Sequence, residues 1–198
     1  MLNRLRERVA GVMDPVGRAI SRAGIGPNAV TVLGLIICLI SAAIFGLGNQ
    51  ALGGLVLLIG GFFDVLDGAV ARASGRETRF GGFLDSTADR YADLLLFSGI
   101  MFATVSGSIQ EPGFMAGQGW IWSLAALSGS LMVSYVRARA EAAGSGRMDV
   151  GIMERAERLI LLGIGGLLSL TCYALVIIAV LSHLTVLHRI IEARKRLG

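Results

Sequence analysis

The stretch 29–47 carries no charged side chain, and a helix needs about 20 apolar residues to cross a bilayer. Comparable apolar runs follow at 51–73, 81–106, 120–140, 154–170 and 172–191. Hydrocarbon offers no partner for backbone N–H and C=O groups, so runs of this length can only be helices that satisfy those groups internally. The expected fold is therefore an all-α membrane protein of six transmembrane helices in one bundle. Composition agrees, with 54% hydrophobic and 16% charged residues, against roughly 25% charged in soluble domains.

Ahead of the first run, Leu5, Val9, Val12, Val16 and Ile20 recur at helical spacing while Arg4, Arg6, Arg8, Arg18 and Arg22 take the remaining surface. That pattern predicts an amphipathic helix lying in the membrane interface over residues 1–23, with the six-helix domain occupying 24–198. The net charge of +4 does not point to nucleic acid, because the basic residues sit in short segments between apolar runs. Arginines fill the N-terminus, the second-to-third loop, the fourth-to-fifth loop and the C-terminus, and the other three loops have no Lys or Arg. The positive-inside bias then puts both termini on the cytoplasmic side of a cell (inner) membrane. No cleavable signal is expected. Cys38 and Cys172 lie apart in apolar stretches and read as packing residues, Trp120 and Trp122 as interfacial anchors, and His183 and His188 as interfacial side chains. Arg147 and Arg158 are expected to meet lipid headgroups.

Against this apolar background stand Asp64 and Asp67 late in the second run, and Asp85, Asp89 and Asp93 early in the third. Charged side chains at bilayer depth cost roughly 2.5–3.5 kcal/mol each on insertion scales, so these acids need compensation. Spacings of three and four put each set on one helix face, and the intervening turn brings the two faces to the same, cytoplasmic end of a hairpin. Three readings fit the spacing. The acids could hold hard divalent cations, as in two-metal phosphoryl chemistry. They could form a structural ion-pair network with Arg72, Arg76, Arg79 and Arg90. They could line an ion channel or transporter pathway.

The segment Asp64-Val-Leu-Asp67-Gly68-Ala-Val-Ala71-Arg72, followed after eight residues by Gly81 and then by Asp85 and Asp89 at intervals of four, resembles the complete signature of the CDP-alcohol phosphotransferase (CDP-alcohol phosphatidyltransferase) family. Eight fixed residues at set distances within 26 positions make this far more specific than a lone glycine motif. The resemblance implies an enzyme in which an alcohol attacks the β-phosphate of a CDP-lipid and CMP leaves. It implies two Mg²⁺ ions per active site, with Mn²⁺ as a possible substitute, held by Asp64, Asp67, Asp85 and Asp89, and it gives Asp89 the further role of base. It also implies CDP-lipid contacts from Asn28, Ala29, Val30, Thr31, Gly68, Ala71, Arg72, Thr78 and Gly81, and a homodimer.

The acceptor alcohol has to be read from the second half. Ser134-Tyr-Val-Arg137-Ala-Arg139-Ala-Glu141 and Glu154-Arg155-Ala-Glu157-Arg158 resemble segments of the family's phosphatidylinositol phosphate synthases, whose acceptor is inositol phosphate. An acceptor carrying its own phosphate needs cationic donors, and arginine forks match phosphate oxygens. The candidates are Arg137, Arg155 and Arg189. Phosphatidylglycerol phosphate or phosphatidylserine synthesis is the alternative within the family, and a catalytically inactive membrane scaffold is an alternative outside it.

Overall fold

The computed structural model describes Met13, residues 15–75 and residues 77–198. Residues 1–12, Asp14 and Arg76 lie outside the described residues, and with them most of the expected interfacial helix. Residues 15–22 are helical. Met13 and Ile20 pack with Phe63 against Val30, Leu66 and Val70, so this segment rests on the bundle near the acidic residues.

Six longer helices follow: α1 (Pro27–Gly46), α2 (Gln50–Ser74), α3 (Arg79–Val105), α4 (Gly119–Ala142), α5 (Arg155–Leu167) and α6 (Thr171–Leu197). No strand occurs among the described residues. Local chemistry explains the boundaries. Pro27 opens α1, where a missing N–H costs nothing. Asn49 caps α2 by accepting the Leu52 N–H at 3.1 Å. The Glu111 carboxylate accepts the N–H groups of Gln118 and Gly119 at 3.2 and 3.1 Å and so closes the start of α4.

Helix α1 packs on α2 and α3, α2 on α5, α3 on α4, α4 on α6, and α5 on α6. The centre is filled by Phe45, Leu57, Leu96, Phe97, Ile100, Ala126, Leu162, Leu175 and Ile178. Large aliphatic side chains also cover the outside, among them Leu33, Ile36, Leu39, Ile40, Leu184 and Leu187, each between 45% and 56% exposed. A bundle apolar both inside and out belongs in lipid. Four helices, α1, α2, α4 and α6, are long and apolar enough to cross a membrane, and the chain is a membrane protein.

The other two depart from the expected pattern for physical reasons. Helix α3 has the length, at 27 residues, but its first half carries the acidic cluster. Helix α5 has only 13 residues, not the 154–170 expected; at about 1.5 Å per residue it reaches about 20 Å, short of a bilayer core of about 30 Å. It stops because Ser169 adopts a left-handed φ of 57° and the Leu170 N–H turns back to Gly165 O at 2.6 Å. The loop before α5 is anchored to the bundle, since Met148 and Met153 are buried although most of their neighbours are exposed.

Helix α5 approaches α2 at backbone contact distance. A Cβ on Gly166 would stand 2.8 Å from Gln50 O and 2.9 Å from Gly54 Cα. Gly166→Val therefore has no room, and it should destabilise the detergent-solubilised protein by about 1–3 kcal/mol, measured as a lower Tm. An unchanged Tm would show that this crossing is loose.

Candidate active site

The site is built on the hairpin of α2 and α3. Gly75 ends α2 in the left-handed conformation, with φ of 63°, and its N–H donates to Ala71 O and Arg72 O. Thr78 then starts α3 by accepting the Gly81 N–H at 2.9 Å. This short reversal sets the last turns of α2 against the first turns of α3. Asp64, Asp85 and Asp89 consequently bring one carboxylate oxygen each to within 4.8 Å of one another. Asp67 faces the same region but stands outside that trio; it is 8% exposed and accepts the Thr31 hydroxyl at 2.7 Å.

Arginine does enter this acidic cluster, though from an unexpected direction. Among the hairpin arginines proposed as partners, Arg90 reaches its neighbour Asp89 at 3.3 Å. The main counter-charge is Arg155 from α5, whose guanidinium pairs with Asp64 and, at 2.9 Å, with Asp89. Asp67 and Asp85 pair with no described cation. Among the described residues, four carboxylates face the guanidinium groups of Arg155 and Arg90, an excess of negative charge in a partly buried place. Three converging hard oxygen donors with that excess fit a divalent cation of the magnesium, manganese or calcium type.

Two clefts adjoin the acids, one beside Asp67 and Asp85 and the other beside Asp64 and Asp89. The first, about 240 Å³, is lined by Asn28, Thr31, Asp67, Gly68, Ala71, Thr78, Gly81 and Asp85. It gathers most of the residues expected to meet the CDP-lipid. Ala29 and Val30 do not line it: Ala29 faces outward and Val30 is packed with Leu66 and Val70. Arg72 is at its edge, its guanidinium 3.4 Å from where a Cβ on Gly68 would sit. A Cβ on Gly81 would stand 3.1 Å from the Thr78 hydroxyl and 3.5 Å from Asn28 Oδ1, so glycine here keeps the cleft wall thin.

The second cleft, about 500 Å³, is lined by Asp64, Ser86, Asp89, Arg90, Ser134, Arg137, Glu141, Glu154, Arg155, Arg158 and Arg189, among others. All three arginines expected to bind an acceptor phosphate are therefore in one place, although they come from three helices. They are not equally available. Arg189 is 2% exposed, and it donates to Val150 O at 2.8 Å, Val133 O at 2.7 Å and Glu154 at 3.0 Å. Arg137 is held between Glu141 at 3.2 Å and Asp149 at 3.3 Å. A narrow crevice lined by Thr31, Cys38, Asp64, Asp67, Asp89 and Arg155 lies between the clefts.

Arg158 overturns its expectation. It does not meet lipid headgroups; its side chain is 2% exposed, pairs with Asp93 at 2.7 Å and donates to Met153 O at 3.3 Å. The carboxylates of Glu141, Asp149 and Glu154 are also part of the second cleft's charge network, a role the sequence reading did not give them. The signal was available in principle, because Glu141 stands four residues from Arg137 on one helix face, but Asp149 and Glu154 reach it only through the folded-in loop.

Comparison with known proteins agrees with this geometry. Residues 25–187 match the family model of CDP-alcohol phosphatidyltransferase. The chain is 41% identical over 197 residues to the archaetidylinositol phosphate synthase of Pyrococcus horikoshii, covering 100% of this chain and 98% of that one. Its fold is similar to a crystal structure of Mycobacterium tuberculosis phosphatidylinositol phosphate synthase with CDP-DAG bound, at a TM-score of 0.82 and 32% identity over 94% of this chain and 96% of that one. A second structure of that enzyme, in complex with manganese and citrate, matches at a TM-score of 0.82 and 33% identity over 94% and 90%. A fixed acidic signature, a cation-type carboxylate trio between two clefts and these similarities have one common source: the chain belongs to the CDP-alcohol phosphatidyltransferase family and is a membrane transferase of substituted phosphate groups.

Proposed function

We propose that this enzyme transfers the phosphatidyl group of a CDP-lipid, CDP-diacylglycerol or its diether counterpart, to inositol phosphate and releases CMP. The observation that carries the reading is the second cleft: Arg137, Arg155 and Arg189 line it together with Asp64 and Asp89, whereas Asp67 and Asp85 line the glycine-walled cleft. A donor and a phosphate-bearing acceptor thus have separate entrances to one set of carboxylates. The names of the matched relatives, both synthases of inositol phosphate lipids, support the same acceptor.

In this reading the cytidine diphosphate occupies the first cleft, against Asn28 and Thr31 of α1, Gly68, Ala71 and Arg72 of α2, and Thr78 and Gly81 at the start of α3. Asp64, Asp67, Asp85 and Asp89 would hold two Mg²⁺ ions, which when bound offset charge on the diphosphate and on the developing transition state. Thr31 orients Asp67 by donating to it. Arg155 lies between the carboxylates and the second cleft, so it can hold the acceptor phosphate while Asp89, its ion-pair partner, takes the proton of the attacking hydroxyl. The new bond forms between that oxygen and the β-phosphorus as the bond to the CMP oxygen breaks.

The same reading makes residues 24–198 the catalytic domain, its six helices alternating in direction within the membrane with α5 as the short one. Both termini and the active site face the cytoplasm, where the nucleotide is. We further infer a homodimer.

Incubation of the purified protein with Mg²⁺, a CDP-lipid and each alcohol in turn should release CMP with inositol phosphate. Release only with glycerol phosphate or serine would reject the acceptor. Asp89→Asn should lower kcat by about 10²–10⁴-fold with an unaltered Tm, the loss expected of a general base. Full activity in that variant would remove Asp89 from the role. Arg155→Ala should raise KM for inositol phosphate about 10-fold and KM for the CDP-lipid far less, whereas equal rises would count against an acceptor-phosphate contact.

A further inference from the structure

The reaction as proposed leaves one buried ion pair without a task. Asp93 and Arg158 meet at 2.7 Å with side chains 4% and 2% exposed, deeper than any other ion pair among the described residues. Burying two charges is expensive, and apolar side chains of similar volume often hold helices together as well or better, so stability alone explains such a pair poorly. Its position is more informative. Asp93 lies one helical turn below Asp89 on α3, and Arg158 lies one turn beyond Arg155 on α5. The same two helices are therefore joined by two rungs. The outer rung is Arg155 with Asp89, at 2.9 Å, at the wall of the second cleft. The inner rung is Arg158 with Asp93.

These helices are not close neighbours. Helix α3 packs mainly on α1 and α4, and α5 on α2 and α6. Long side chains must therefore bridge them, and no ridge of close-packed residues sets their mutual rotation. Glycine contacts at Gly163 and Gly166 set the distance and the face of α5 against α2 along its later half. The inner rung does the same for its first turn, where Arg155 stands. Arg158 also donates to Met153 O, which ties the last residue of the folded-in loop to the same guanidinium just before Glu154 and Arg155 begin the helix. One buried side chain thus holds both the rotation of α5 and the path of the chain into it.

We propose that the Asp93–Arg158 pair is a positioning device for the acceptor side of the active site: it sets the rotation of α5 so that Arg155 faces Asp64, Asp89 and the second cleft. This rests on the reading of that cleft as the acceptor site. The pair acts through Arg155; Arg158 also lines the second cleft, but its guanidinium is committed to Asp93 and Met153 O.

The test is a double-mutant cycle on kinetic constants. Asp93→Asn and Arg158→Gln should each raise the acceptor KM about 10-fold, with the CDP-lipid KM changed less than about twofold. In an Arg155→Ala background, Asp93→Asn should raise the acceptor KM no further, because the residue it positions is gone. Arg158→Lys, which keeps the charge opposite Asp93, should recover the acceptor KM to within about threefold of the native value. A lower Tm with both KM values unaltered would make the pair merely structural and overturn the proposal. Additive effects in the Arg155→Ala background would overturn it as well, by showing direct contact with the acceptor. Should Asp93→Asn not accumulate as folded protein, Asp93→Glu replaces it by moving the carboxylate one methylene. A rise of about threefold in acceptor KM, absent in the Arg155→Ala background, then supports the proposal, and no rise overturns it. Failure of the underlying acceptor reading is seen separately, in the native enzyme, which would not turn over inositol phosphate; the cycle is then measured on the acceptor that it does use.

Discussion

Negative charge packed where little water can reach is the constraint around which this molecule is organised. Asp64, Asp67, Asp85, Asp89 and Asp93 are all at least partly buried in a bundle whose central core is aliphatic and aromatic. Carboxylates in such a place must be paired, coordinated to a cation or protonated. The chain separates these solutions by depth. Asp93, the deepest, is matched one to one by Arg158. Asp64 and Asp89 share Arg155, and Asp85 completes a trio able to grip a divalent cation. Asp67 is satisfied by a hydroxyl. Fixed compensation thus gives way to replaceable compensation toward the mouth of the site.

That gradient explains why the two clefts differ in character. The first is walled by glycine, alanine and small polar side chains, so an extended diphosphate can approach the backbone. The second is wide and densely ionic, with arginines already tied to Glu141, Asp149 and Glu154. Arginines held by acids in a partly enclosed space lose little freedom when an anion arrives, and their geometry is set before binding. Exchange of a carboxylate partner for a phosphate is then a substitution among similar contacts.

Much of this was legible in the chain itself. The hairpin and the meeting of two acidic faces followed from spacing, whereas the left-handed closure at Gly75 was seen only in the fold. Three of the arginines that line the second cleft, Arg137, Arg155 and Arg189, were candidates from the sequence, although they come from α4, α5 and α6. Other features were not legible. Hydrophobicity continues past Leu167, yet α5 ends there because of a backbone reversal that no periodicity announces. Arg158 resembles every other arginine near a basic loop, and its burial depends on where α3 presents Asp93. Val30 lies beside residues that line the nucleotide cleft but points into the packing of α2, because neighbours on a helix face different directions.

The sequence alone determined the membrane environment, the acidic signature and the chemistry those acids can perform, because these depend on residue type and on spacings within one helix or one tight turn. The tertiary structure decided which guanidinium stands among the carboxylates, which arginine is buried as a tie and how the space around the acids divides into two entrances. Those outcomes depend on the rotation and depth of helices far apart in the chain, and these are set by glycine contacts and long side chains whose partners exist only after folding.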